Sequence, residues 1–199
     1  MSAVSEPCSD VRFVVIGASA GGVEAVGRLL QALPPTSRVA FAVVLHVPPD
    51  RPSQLAELFA ERCVLAVKEA EDKEIIVPGM VYVAPPNYHL LVEPDGSFSL
   101  SLEDAVLYSR PSIDLLFESA AYAYGNGLLG IVLTGASNDG AHGLAKVRSL
   151  GGRAWVQDPA SARSRIMPQA ALDLAHPHRV LDLKTLAADL ADLLARTTK

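Results

Sequence analysis

Cysteine is scarce: Cys8 and Cys63 are the two in 199 residues, far apart and outside any C-x-x-C motif. That excludes a disulfide framework and makes a reducing cytoplasm the default compartment. Residues 1–10 lack a basic stretch followed by an apolar one, so no secretory signal is read there. No apolar run approaches ~18 residues, which excludes a membrane-spanning helix. Positive charge is also short. Lys and Arg total 17 against 22 Asp and Glu, a formal charge of -5. A sequence-independent nucleic-acid binder needs a basic face, so no nucleic-acid partner is expected. The five histidines form no H-x-x-x-H pair and no Cys/His cluster. No metal and no cofactor are therefore expected. Internal repeats and low-complexity segments are absent.

Half of the residues are hydrophobic, enough for one large domain with a substantial core. Residues 1–10 read as a disordered tail. Residues 11–17 read as a buried strand, apolar without alternation as parallel strands are. A helix is expected over about 22–33, stopped by Pro34-Pro35. Residues 39–47 read as a second buried strand. Ser53 is expected to cap a helix running to about 62, and 64–67 is a short strand candidate. The segment "MVYVAPPNYHLLVEPDGSFSLS" reads as an inserted β-hairpin turning at Pro94-Asp95-Gly96. Further elements are a helix at 112–124, a strand at 128–134, a helix at about 139–150, a strand at 153–157 and a helix at about 184–196. Alternating strands and helices define an α/β fold: a doubly wound, mostly parallel sheet with helices on both faces and an inserted hairpin. In such sheets, sites form at the carboxyl ends of the strands.

The first strand ends in Gly17-Ala18-Ser19-Ala20-Gly21, a G-x-S-x-G between strand and helix. This is the setting of a nucleophile elbow, in which the serine backbone is strained and glycines relieve clashes. A close-packed small-residue turn is the alternative. The second strand ends at His46, either a buried structural histidine or a base beside Ser19. His89, His142, His176 and His178 occupy a hairpin, a helix surface and a loop. The strand "GIVLTG" ends in "LTGASNDGAHGL". There Asp139 can cap the helix that follows or orient His46, with Asp158 a competing carboxylate.

Taken together, these loops resemble the catalytic domain of the chemotaxis protein-glutamate methylesterases, the CheB-type family. "IGASAGG", "HVPP" and "LTGASNDGAHGL" are similar to its serine, histidine and aspartate loops. "PGMVYVAPPNYHL", "RPSIDLLFESAA", "GGRAWVQDPASA" and "MPQAAL" occur at the same relative places, collinear over about residues 11–195. The resemblance implies Ser19 as nucleophile, His46 as general base and Asp139 as the orienting acid. It implies that the backbone N–H groups of Ala20 and Ala136 hold the oxyanion. Ala20 stands where the family has threonine, Ala136-Ser137 where it has Met-Gly, and Ile166 where it has glycine. "SARSR" is more basic than usual. Residues 11–199 correspond to the catalytic domain, and ten preceding residues have no room for the family's receiver domain.

The implied activity is hydrolysis of γ-glutamyl methyl esters on chemoreceptors, with deamidation of selected glutamines. The implied partners are methylated cytoplasmic receptor helices and a separate regulatory protein, with no insertion into the membrane. Two rivals are a non-catalytic scaffold of the same fold and an NAD(P)-dependent oxidoreductase. The latter lacks an acidic residue at the end of the second strand and any tyrosine with a lysine four residues on.

Overall fold

The computed structural model describes residues 10–47 and 53–197. Most of the expected tail therefore lies outside the described residues, as do Cys8 and Pro48-Pro49. β1 (Phe13–Ala18) leads into α1 (Gly22–Gln31), β2 (Ala40–Leu45), α2 (Leu55–Ala60), β3 (Ala66–Glu69) and β4 (Met80–Val83). β5 (His89–Val92) and β6 (Phe98–Ser101) follow, then α3 (Ile113–Tyr124) and β7 (Leu128–Val132). The chain continues through α4 (Ala141–Ser149), β8 (Arg153–Gln157), α5 (Ile166–Ala175), β9 (Arg179–Leu181) and α6 (Leu183–Thr197). Seven strands form one sheet in the order β3-β4-β2-β1-β7-β8-β9. Every pairing in it is parallel.

Alternation along the strands splits the core in two. Val14, Ile16, Phe41, Val43 and Leu45 pack with residues of α1, α2 and α6. Phe13, Val15, Ala42 and Val44 pack on the opposite face with residues of α3, α4, α5 and the hairpin. Helices thus cover both faces, which is why β1 and β2 are buried at every position. The sheet is built leftward from β1 to β2 and rightward from β1 to β7. This reversal opens a crevice at the carboxyl ends of β1 and β7, where such folds place their sites.

Several expectations shift. The antiparallel hairpin is β5–β6 alone, with Asp95 Oδ1 accepting from Ser97 N (3.0 Å) across its turn. Met80–Val83, read as part of that hairpin, instead pairs in parallel with β2 and β3. The helix at 55–60 is shorter than expected, and Ser53 Oγ accepts from Leu55 N (3.2 Å) while Gln54 occupies the cap position. The fourth helix begins at Ala141, behind Gly140 with φ 97°, rather than at 139. α5 and β9 occupy a stretch in which the sequence pattern predicts no element. Pro168 sits in the first turn of α5, where its missing N–H removes no helical bond.

The crevice depends on close contact between β1 and α3. A Cβ added at Gly17 would lie 2.3 Å from Ile113 Cγ2. Gly17→Ala is expected to cost about 2 kcal/mol through overpacking, about 4–8 °C in Tm for a domain of this size. The Gly17→Ala/Ile113→Ala double variant should lose less than the sum of the single losses. Strict additivity in thermal melts would show that this contact does not constrain the fold.

Candidate active site

Three strand ends converge through backbone hydrogen bonds that continue past the strands. Ser19 N–H donates to Thr134 O (3.0 Å), Leu133 N–H to Gly17 O (2.9 Å) and His46 N–H to Ala18 O (3.2 Å). The parallel register pairs Ala18 with Leu45, so one step further Ser19 and His46 lie side by side. The strand alternation places both on the α3/α4 face.

The turn that carries Ser19 is shaped by its glycine. Gly21 has φ 81°, and a Cβ there would meet the Arg163 side chain at 2.9 Å. Ser19 itself is absent from the positive-φ residues; the left-handed residue of the turn is Gly21, which adopts that conformation without strain. Thr134 Oγ1 donates to Ala20 O (2.9 Å) and accepts from Ser164 N (2.9 Å). This brace ties the serine turn to the loop before α5, and no local sequence signal marks it. The N–H groups of Ala20 and Ala136 have no hydrogen-bond acceptor among the described residues.

His46 and Asp139 are brought together, with Nε2 2.8 Å from Oδ2. The Asp139 side chain is fully buried and that of His46 is 12% exposed. Asp139 does not cap the helix that follows it. Its carboxylate accepts from Ile113 N (2.7 Å), Asp114 N (3.0 Å) and Ser112 Oγ (2.9 Å), at the start of α3. Asp114 returns the arrangement: its Oδ1 accepts from Gly140 N (2.9 Å) and Gly143 N (2.6 Å), at the start of α4. Each aspartate thus closes the amino end of the other's helix, where donors are unpaired and negative charge is favoured.

The two carboxyls respond in opposite directions. Burial alone would raise the pKa of Asp139, yet the hydrogen bonds from His46 and from the Asp114 and Ile113 N–H groups hold it below the ordinary value. Burial pushes Asp114 up to about 6, against the two glycine N–H bonds and with the charge of Asp139 adding to the rise.

His89, fully buried, accepts from Ser112 N–H on Nδ1 (3.1 Å) and meets Asp104 O through Nε2 (3.1 Å). It braces the residue that bonds Asp139, a role no local sequence signal could reveal. Asp158, the rival acid, accepts from Ala160 N (2.8 Å) within its own turn, while the carboxylate on His46 is that of Asp139. His142 is exposed on α4, His176 ends α5 with φ 47°, and His178 Nδ1 accepts from Ala154 N (3.1 Å). Ser19 Oγ makes no hydrogen bond to His46 or to any other described residue. The second nitrogen of His46, Nδ1, lies 3.3 Å from Ser109 Oγ. A cavity of about 510 Å³ opens beside it, lined in part by His46, Asn87, Tyr108, Ser109 and Arg110.

The fold and this cluster define an α/β protein with a serine, a histidine and an aspartate at adjoining strand ends. The family model described as CheB methylesterase matches residues 14–190, and the chain belongs to that family. It is 45% identical over 174 residues to a protein of Leptospira interrogans provisionally named protein-glutamate methylesterase/protein-glutamine glutaminase, covering 87% of this chain and 90% of that one. The protein-glutamate methylesterase/protein-glutamine glutaminase of Trichodesmium erythraeum is 35% identical, over 90% of this chain and 52% of its own length. Among solved structures, the catalytic domain of the Thermotoga maritima CheB methylesterase superposes with a TM-score of 0.87 at 31% identity. That match covers 93% of this chain and 100% of the other.

The Asp114 carboxyl gives a test of the exchange. Its folded pKa of about 6 stands above the ordinary 3.8, so its proton favours the folded state. That contribution is complete below the unfolded value and is lost as pH rises through about 6. Asp114→Asn keeps an Oδ1 acceptor and carries no charge. From about pH 4 to about pH 7 the parent protein should lose about 2 kcal/mol relative to Asp114→Asn. Parallel curves of Tm against pH would refute this assignment.

Proposed function

We propose that this chain is a serine-type protein-glutamate methylesterase in which Ser19, His46 and Asp139 act as nucleophile, base and orienting acid. The observation that carries the reading is the buried His46–Asp139 hydrogen bond at 2.8 Å, set one register step from Ser19. Carboxylate oxygens only accept, so Nε2 carries the hydrogen and Nδ1 is the basic nitrogen. Ser19 Oγ attacks the γ-carbonyl of a glutamyl methyl ester and His46 Nδ1 takes its proton. The imidazolium is stabilised by Asp139. The N–H groups of Ala20 and Ala136, both without an acceptor among the described residues, hold the oxyanion, reinforced by the start of α1. Methanol departs with the proton from Nδ1. Water, activated by the same nitrogen, then frees the glutamate. Glutamine side chains enter the same path with ammonia as the leaving group.

The substrates in this reading are methylated cytoplasmic helices of chemoreceptors, and residues 11–199 are the catalytic domain. The protein works in the cytoplasm. Among the described residues no helix is long and apolar enough to cross a membrane. Against the dinucleotide alternative, the end of β2 carries His46 bonded to Asp139, where a ribose requires a free carboxylate.

Methanol release from methylated receptors is the measurement. Ser19→Ala is expected to abolish it with little change in Tm. Asp139→Asn should lower turnover by about 10⁴, as in other triads. It should also lower Tm, because an amide nitrogen faces donors that a carboxylate accepted. Retained turnover in folded Ser19→Ala would overturn the assignment.

A further inference from the structure

Nδ1 of His46 has a single in-plane lone pair. With Nε2–H committed to Asp139, Ser109 is the donor across the 3.3 Å contact at Nδ1. The nitrogen that must accept the Ser19 proton is therefore engaged by another serine, while Ser19 Oγ has no partner among the described residues.

The backbone of Ser109 is committed within its own turn. Its own N–H is spent on Val106 O (2.8 Å), and its carbonyl accepts from Val106 N (3.1 Å). The N–H groups at the nearby start of α3 are occupied by Asp139. Ser19, by contrast, is followed by the N–H of Ala20, which has no acceptor among the described residues.

The contact is also built to be given up. At 3.3 Å it is long for a hydroxyl donor. Ser109 closes a tight turn whose central residues, Leu107 (φ 47°) and Tyr108 (φ 64°), are non-glycine residues in left-handed conformation. Both side chains are exposed, and Tyr108 lines the cavity beside His46. Both flanks of the turn are anchored, through Arg110 to Asn87 Oδ1 (2.7 Å) and Leu102 O (2.9 Å) and through Asp104 O to His89 Nε2 (3.1 Å), while the side chains at its tip are exposed.

We propose that Ser109 is a positioning residue that holds the His46 ring by Nδ1 in the resting site and yields that nitrogen to Ser19 when the ester-bearing segment binds against the 106–109 turn. The proposal rests on the Ser19 reading. Ser109 keeps its proton throughout. The Ser109 O–H···Nδ1 hydrogen bond breaks, the Ser19 hydroxyl replaces it, and the Ser19 proton passes to Nδ1 as the Oγ–carbon bond forms.

A small fluorophosphonate probe enters without the receptor segment, so it reads how freely Nδ1 serves Ser19. Its inactivation rate and its labelled residue, found by mass spectrometry, are measured on the full chain. Ser109→Ala should accelerate labelling of Ser19 by about threefold to tenfold, the factor expected from one modest hydrogen bond. Ser109→Thr, which keeps the hydroxyl, should stay within about twofold of the parent. If Ser109→Ala does not fold, Ser109→Cys, with a weak donor in the same place, must show the acceleration. An unchanged or slower rate in the folded variant would overturn the proposal and leave the Ser19 reading intact. Labelling of Ser109 in Ser19→Ala would overturn both.

Discussion

Two buried carboxylates, Asp114 and Asp139, each complete the start of the other's helix, and the site depends on that exchange. An isolated carboxylate in a core would give up its charge. Here Asp139 faces the N–H groups of Ile113 and Asp114, the Ser112 hydroxyl and His46. These donors supply what water would have supplied, so the carboxylate stays ionised with no exposed surface. Asp114 closes the start of α4 through Gly140 and Gly143, although its own burial holds its carboxyl up at about 6. Because α3 and α4 lie on one face of the sheet, the exchange locks their amino ends together over β1 and β7. A histidine bonded to Asp139 inherits that rigidity.

The remaining polar groups extend this anchor outward in two directions. Toward the hairpin, His89 bonds Ser112, which bonds Asp139. Toward the serine turn, Thr134 links Ala20 to Ser164, and Gln157 Oε1 accepts from Thr134 N (2.9 Å). Ser19 needs such bracing because its turn is made of alanine and glycine, which offer little side-chain packing of their own. The small residues let helix α1 approach the sheet closely, and the braces restore the order they forgo.

Local pattern made much of this legible. The unbroken apolar runs of β1 and β2, the strand at 153–157 and the three polar strand ends were all visible as residues in sequence. What was hidden depended on partners distant in the chain. Asp139 followed by Gly140 reads as a cap for its own helix, and only the fold reveals that its donors are at 112–114. His89 looked like a hairpin histidine because its contact with Ser112 is tertiary. Ser109 carried no signal, since its turn has neither glycine nor asparagine at the left-handed positions. β4 was absorbed into the hairpin because four apolar residues before two prolines resemble an edge strand. α5 was masked by a proline whose position in the first turn makes it harmless.

The order in which the sheet is assembled bears on how the protein comes into being. Ser19 and His46 are synthesised before Asp139, on neighbouring strands. Asp139 follows β7, whose place beside β1 is fixed by contacts such as Phe13 to Leu128. Until that long-range pairing closes, the imidazole has no carboxylate to fix its tautomer, and the Leu133–Gly17 and Ser19–Thr134 bonds that shape the serine turn cannot form. Under the proposed mechanism, the nascent chain therefore carries a serine no more reactive than any other. The cluster of serine, histidine and aspartate assembles only when both halves of the sheet have met, which ties the proposed chemistry to the completion of folding itself.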